Sequence, residues 1–299
     1  MKKSVDLSII IVSFNTKELV QCCMEALERA QKESHASWEV IVVDNASTDG
    51  THEYLSGLKG LKGFYRNVIV IENARNLGFS RANNIGIKQS HGAYVLLLNS
   101  DTEISIDAVP AMLRFMDGHP KAGAATCRLI LPDGSIDPAC HRGFPTPWAS
   151  LTYFVGLEHL FPKIALFSRY HLWFKDMRIQ HQIDCPSGAF FFTRRQVLES
   201  VGVLDEDYFM YGEDVDWAYR IKQAGWEIWY TPEATVLHKK KQSGRAHADA
   251  GLRQNTQRYF YETMLLFYKK HYRSRYPSLL YFLIKGVIRV RVFLAAIFS

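Results

Sequence analysis

At 299 residues, 47% of them apolar and 22% charged, this is an ordinary globular chain with length for one large or two small domains and a full core. Its five cysteines (Cys22, Cys23, Cys127, Cys140 and Cys185) are odd in number and lack any Cys-x-x-Cys or Cys/His zinc spacing, which excludes a paired disulfide framework and points to reduced thiols in a cytosolic setting. The net charge of +6 hides an asymmetry, because residues 239–299 hold 13 Lys/Arg against 2 Asp/Glu and the preceding 238 hold 23 against 28; a mildly acidic body ends in a basic tail suited to anionic lipid or nucleic acid.

Lys2 and Lys3 precede only a short apolar run, Leu7 to Val12, with no small-residue cleavage site, so a first strand is expected there rather than a secretory signal. That strand runs to Phe14, and Asn15-Thr16 cap a helix reaching about Lys32. Trp38 to Val43 is a second strand, closed by Asp44-Asn45-Ala46-Ser47-Thr48-Asp49-Gly50 and followed by a helix from Thr51 to about Leu58. Val68 to Glu72 is a third strand, with a loop from Asn73 to Gly78 and a helix from Ser80 to Gln89. Val95 to Leu98 is apolar without alternation, as in a strand buried on both faces, and stops at Asn99-Ser100-Asp101. A helix from about Ile106 to Asp117 follows. The alternation implies parallel βαβ units, which bind ligands beyond the carboxyl ends of their strands.

Those ends carry Ser13/Asn15, Asp44/Asn45/Ser47, Asn76/Gly78 and Asn99/Asp101. Gathered on one sheet edge, they resemble a nucleotide pocket. Helix capping explains such residues too, but does not require Asp at a buried strand's last position. Asp101 beside two short polar side chains can hold Mg²⁺ or Mn²⁺ shared with a substrate diphosphate, or simply form a turn.

Ala122 to Leu131 reads as a strand, Pro132 to Ser135 as a turn, and the chain returns through Ile136 to His141. Residues 142–183 are aromatic and irregular, fitting a mobile lid or acceptor wall, or equally a peripheral helical hairpin. Pro186-Ser187-Gly188-Ala189 leads into a strand at Phe190 to Thr193, and Gly188 permits close approach of a ligand or a tight bend. After a short helix, Arg195 to Val201, and an acidic aromatic loop, Glu213-Asp214-Val215-Asp216 opens a helix running through Ala224. Acids suit a first helical turn, but three within four residues exceed what the dipole needs. Glu227 to Tyr230 and Ala234 to Leu237 read as two strands ending at His238. Lys239-Lys240-Lys241 and Arg245 form either a solvated loop or a segment closing over a diphosphate. Thr256 to Tyr272 is helical, and Leu279 to Phe298 is apolar but broken by Lys285, Arg289 and Arg291. That pattern suits an interfacial membrane helix, or one packed on the body or a second subunit.

Seven pieces in order carry a resemblance: Ile10 to Asn15, Val42 to Thr51, Asn76-Leu77-Gly78-Phe79 with Ala82 to Gly86, Leu98 to Asp101, Ser187-Gly188-Ala189, Tyr211 to Trp217, and His238. From about Leu7 to His238 the chain resembles the inverting family 2 glycosyltransferases, rhamnosyltransferase-like members in particular. The resemblance implies an α/β GT-A nucleotide-diphospho-sugar transferase fold, with a mostly parallel central sheet, helices on both faces and a C-terminal helical tail. Residues 1–240 would be the transferase domain, with a nucleotide-sugar half to about 120 and an acceptor half beyond; 241–299 would be a membrane-associating tail.

It further implies that Ser13, Asn15, Asp44 and Ser47 line the nucleobase and ribose site. Asn76, Gly78 and Asn84 would lie near ribose and diphosphate. Asn99, Ser100 and Asp101 take the place of the family's Asp-x-Asp metal motif, with an amide where its first acid stands. Asp101 and His238 would hold Mg²⁺ or Mn²⁺, Gly188 and Ala189 would face the acceptor, and Asp214 would be the general base, with Glu213 second and His141 a distant third, read as a surface histidine. The implied partners are a dTDP- or UDP-sugar, a saccharide or lipid-linked acceptor, the inner face of the cell membrane and a second copy of the chain; no nucleic-acid module is recognisable. A nucleotide-sugar-binding scaffold without turnover is the alternative, opposed by the Glu213/Asp214 pair. A processive synthase lacks its membrane spans and Gln-x-x-Arg-Trp motif here, and a nucleotidyltransferase its Gly-rich N-terminal loop.

Overall fold

The structure, a computed structural model, describes the backbone of residues 5–240 and 250–297 and the side chains of 5–240 and 258–289. Lys241, Arg245 and Phe298 of the expected tail features lie outside those residues. Strands β1 (Leu7–Ser13), β2 (Trp38–Asp44), β3 (Val68–Glu72) and β4 (Tyr94–Asn99) pair in parallel in the order β3-β2-β1-β4. Helices α1 (Lys17–Lys32), α2 (Thr51–Gly57) and α3 (Phe79–Gln89) make the crossovers. α1 buries Val20, Cys23, Met24, Leu27 and Ala30, a helical stripe facing the sheet. β2 is buried along its whole length, the environment that selects a continuous apolar run.

The second half departs from this regularity. After β5 (Thr102–Ile104) and α4 (Ala108–Gly118) come β6 (Ala122–Ile130), α5 (Pro147–Phe154), α6 (Leu157–Leu160), β7 (His181–Gln182), β8 (Phe190–Arg194), α7 (Arg195–Val201), α8 (Glu213–Gln223) and β9 (Glu227–His238). The sheet continues as β4-β8-β6-β9-β5, with β7 also on β9. β8 runs antiparallel to both β4 and β6, and β5 and β7 run antiparallel to β9, whereas β6 and β9 are parallel. The sheet is thus parallel through its first four strands and mixed beyond.

Two differences from the sequence reading have plain causes. The two runs before His238 are one strand, β9, whose register against β6 jumps where Cys127 pairs with Thr231 and Arg128 with Thr235. Pro232 has no N–H for the ladder, and the bulge takes it out of the pairing. β5 spans three residues, too few for an alternation to show.

The 142–183 segment carries the helices α5 and α6 and also walls the cavity at Asp214. The tail begins with α9 (Ala250–Phe267), passes through a π-helical turn (Tyr268–Tyr272) and ends in α10 (Ser278–Ile297). Phe267 and Tyr272 pack edge-on against Tyr219 of α8, with ring centroids 5.7 and 6.0 Å away. α10 packs Tyr281 and Ile284 on the core and leaves Leu279, Phe282, Leu283 and Val287 outward. Among the described residues no helix is long and apolar enough to cross a membrane.

Candidate active site

Parallel register lines up Ser13 with Asp44 and Val12 with Asn99, so three strands end at one edge. There the side chains bond to one another. The Ser47 hydroxyl donates to Asp44 Oδ1 at 2.5 Å and accepts the Asn15 N–H at 2.9 Å. Asn15 Oδ1 accepts the Thr48 N–H at 2.7 Å, with Asn15 itself left-handed at φ 52°. Ser13 and Thr16 share a hydroxyl bond of 2.8 Å, and Thr16 and Ser100 one of 3.1 Å. The expected Thr16 cap is therefore absent: its hydroxyl ties two strand ends together and makes no cap bond. Ser13, Asn15, Asp44, Ser47 and Ser100 form one polar cup.

Asn76 and Gly78 adjoin that cup through Asn45, whose amide donates to Asn76 Oδ1 at 2.8 Å. Asn76 also accepts the Gly78 N–H at 2.9 Å, so its carbonyl braces its own loop. Gly78 is required for packing: at φ +84° an added Cβ would stand 2.5 Å from the Phe209 carbonyl. Asn84 is not in the cup. Its amide donates to the Leu204 carbonyl at 2.9 Å and its Oδ1 accepts the Leu204 N–H at 3.1 Å, so both ends clasp the 204–206 loop.

Asp101 lies beyond β4 and next to His238, because Thr102 pairs with His238 across β5 and β9. His238 Nε2 is 3.4 Å from Asp101 Oδ1, and its Nδ1 is 2.7 Å from Asp137 Oδ2. Burial opposes charge on His238, but the hydrogen bonds its ring donates to Asp101 and Asp137 outweigh it and lift its pKa to about 9. Asp137 is fully buried; desolvation works against its charge, yet His238 and Lys240, the latter 2.9 Å away, hold it far below the usual carboxylate range. Sequence reasoning missed Asp137, which sits in what read as a chain return; its only signal was an acid with no surface role. Lys239 pairs with Glu103, so neither described lysine is a loose flap.

Among the described residues no group of three or more His, Cys, Asp or Glu side chains is arranged to hold a metal. Asp101 and His238 fit a site that a substrate would complete, provided that the cation takes the place of the proton His238 Nε2 otherwise shares with Asp101. Their donor atoms, 3.4 Å apart, approach the edge of about 3 Å expected between adjacent ligands of a six-coordinate ion at about 2.1 Å. The Asp101 carboxylate suits Mn²⁺ or Mg²⁺, and the imidazole makes Mn²⁺ the better match of the two. Asn99 Oδ1 is buried there without a hydrogen-bond partner among the described residues.

Glu213 and Asp214 start α8, behind Tyr211 and Gly212, both left-handed at φ 69° and 82°. Asp214 Oδ2 meets Arg142 Nη2 at 2.5 Å and the Gly188 N–H at 3.2 Å. One residue on, the Ala189 carbonyl accepts the Asn99 N–H at 3.1 Å. A short run of bonds therefore joins Asp214, through Gly188, Ala189 and Asn99, to the segment bearing Asp101. Ala189 contributes backbone only, its methyl being buried in the core. Gly188 leaves a gap between Phe79 and Glu213, 3.5 and 3.8 Å from where its Cβ would be.

Glu213 is buried with Oε2 lacking a hydrogen-bond partner among the described residues, and desolvation first, then the Asp214 charge, push its pKa well above the usual carboxyl range. Asp216 faces the other way, bonding His271 at 2.6 Å and Arg220 at 2.8 Å. The acidic triplet therefore divides, with Glu213 and Asp214 on the cavity and Asp216 turned to the tail. Arg142 escaped the sequence reading, since nothing in its spacing marks it as the partner of an acid 72 residues away. His141, expected at the surface, is fully buried among Trp173, His181 and Tyr230, and burial lowers its pKa to about 3, so it is no base for this cleft. A cavity of about 120 Å³ opens on Asp214, walled by Arg142, Tyr153, Tyr170, Glu213, Phe260 and Met264 among others.

The family description "Glycosyl transferase family 2" matches residues 8–202. The chain is 31% identical over 218 residues to the N-acetylglucosaminyl-diphospho-decaprenol L-rhamnosyltransferase of Mycobacterium tuberculosis, covering 68% of this chain and 67% of that protein. It is 26% identical over 242 residues to the glycosyltransferase AglE of Haloferax volcanii, covering 79% and 68%. Among solved structures it is similar to S. aureus TarS, with a TM-score of 0.57 at 16% identity over 97% of this chain and 44% of that one. It also resembles the mannosyltransferase PcManGT from Pyrobaculum calidifontis in complex with GDP-Man and Mn²⁺, with a TM-score of 0.57 at 14% identity over 98% and 70%. The chain spans less than half of TarS, and at these identities both structures bear on the fold alone.

Proposed function

The chain belongs to glycosyl transferase family 2 and has the GT-A fold, and from that premise we propose that it transfers a hexose with inversion from a nucleoside diphosphate sugar to a lipid-linked saccharide. The likeness to a rhamnosyltransferase acting on a diphospho-decaprenol carrier favours L-rhamnose on dTDP or UDP, in cell-surface polysaccharide synthesis. Ser13, Asn15, Asp44 and Ser47 hold the nucleoside, with Asn76 and Gly78 shaping the adjoining loop. Asp101 and His238 hold Mn²⁺ or Mg²⁺, which when bound offsets the charge growing on the departing diphosphate. The acceptor enters the cavity at Asp214, whose carboxylate the Gly188 N–H holds.

Asp214 takes the acceptor hydroxyl proton as the new C–O bond forms on the face opposite the leaving group. Arg142 and the Gly188 N–H fix that carboxylate in place. Glu213 is the weaker candidate, because a buried carboxyl that keeps its own proton near neutral pH is a poor base. The observation that carries the reading is the bonded run from Asp214 through Ala189 to the Asp101 segment, which supports one shared cleft. The Glu213–Asp214 pair on an open cavity speaks against a scaffold without turnover. A peripheral position on the inner membrane face is part of the same proposal, with the outward stripe of α10 as one contact.

Asp214→Asn tests it. Donor binding, read by calorimetry with UDP- and dTDP-sugars, should stay, while turnover falls by about 10²- to 10⁴-fold. Normal turnover would remove Asp214 from the role.

A further inference from the structure

Residues 147–169 carry an apolar surface that neither the core nor the catalytic edge uses. The hairpin beneath it is firmly built. Pro147 opens α5 and the Thr146 hydroxyl accepts the Ala149 N–H at 3.2 Å. Gly156 turns the chain at φ +81°, and fully buried Glu158 accepts the His171 N–H at 2.9 Å and the Ser168 hydroxyl at 3.4 Å. Outward from that frame stand Trp148, Leu151, Val155, Leu160, Ile164 and Leu166, each between 43% and 70% exposed. So dense an exposed apolar face marks an interaction surface.

Two observations say what covers it. The first is charge. Within residues 147–178 Glu158 is buried and the exposed Asp176 is paired with Arg178, while Lys163 and Arg169 are exposed, so the face carries a net positive charge. The second is continuity. Ser150 and Tyr153 of α5 wall the cavity at Asp214, and Phe154 belongs to both surfaces, lining the cavity while 37% exposed.

We propose that this hairpin face docks on an anionic lipid bilayer and sets the rim of the cavity against it, so that a lipid-linked acceptor reaches Asp214 from the membrane plane. Aliphatic side chains and a tryptophan sink to the acyl boundary, and the two bases meet the headgroups. The delivery of acceptor rests on the function proposed above; the docking surface does not. A second copy of the chain seated here would cover Phe154 at the cavity edge.

The test is flotation of the full chain with phosphatidylcholine vesicles, with and without phosphatidylglycerol. The wild-type chain should float, more so with the anionic lipid, and Leu151→Glu with Leu160→Glu should weaken binding at least about tenfold by placing two charges in the apolar layer. Leu151 and Leu160 are 51% and 70% exposed and line no part of the cavity, so the thermal midpoint should hold; if the pair misfolds, Leu160→Glu alone serves. A wild-type chain that does not float, or variants that float like it, would overturn the surface. So would loss of a dimer on gel filtration with flotation unchanged. If flotation depends on the hairpin but no sugar reaches a lipid-linked acceptor, the acceptor reading falls and the docking surface stands.

Discussion

Asp137 is the residue on which the histidine geometry turns. A buried carboxylate bonded to Nδ1 fixes the tautomer and ring plane, which aims Nε2 at Asp101. Asp137→Asn keeps an acceptor for the Ala139 N–H, 2.9 Å away, but gives up the charged partner of His238. Mn²⁺ affinity measured by titration should fall about 10- to 100-fold with the fold intact. His238→Ala should lose at least as much, and unchanged affinity there would reject the ligand role. Of this arrangement Asp101 and His238 were legible in the sequence, since each follows a strand and matches a family motif. Asp137 and Arg142 were not: both act through contacts far apart along the chain, and neither stands in a periodic pattern.

At the scale of elements, the tail is part of the catalytic body. α9 supplies Phe260, Thr263, Met264 and Phe267 to the cavity wall. The π-helical turn fastens it to α8 through His271 on Asp216, and Lys270 adds ion pairs to Asp205 and Asp207. His271→Ala strips one of two partners from a buried carboxylate and should cost about 1–3 kcal/mol in thermal or denaturant unfolding. Burial resists the Asp216 charge, but bonds from His271 and Arg220 prevail and hold its pKa below 3.8. That stabilisation is present above about pH 4 and is lost as pH falls further, so the gap between variant and wild type should close in acid. Sequence patterning gave the first four strands and their helices nearly to the residue, because apolar runs and polar stops coincide with element ends there. It split β9 at Pro232, overlooked β5, and read the acidic triplet as one cluster where the helix turn keeps Glu213 and Asp214 on the cavity and sends Asp216 to the tail.

For the molecule as a whole, the continuous sheet decides cooperativity. β4 is sealed by β8, and β5, from the first 120 residues, completes the far edge against β9. The expected donor and acceptor halves are therefore interleaved. Unfolding in urea should follow one transition, with far-UV dichroism coincident with fluorescence from Trp38 in one half and from Trp217 in the other. Two separate transitions, one for each half, would show that the seam between β4 and β8 does not couple them.

The position of β5 also dates the enzyme's birth. Asp101 leaves the ribosome early, but its imidazole neighbour belongs to the final strand of the sheet, more than a hundred residues later. A shorter translation product lacks one of the two side chains proposed to hold the cation, and the pair comes together only when synthesis has passed His238 and β9 lies between β6 and β5.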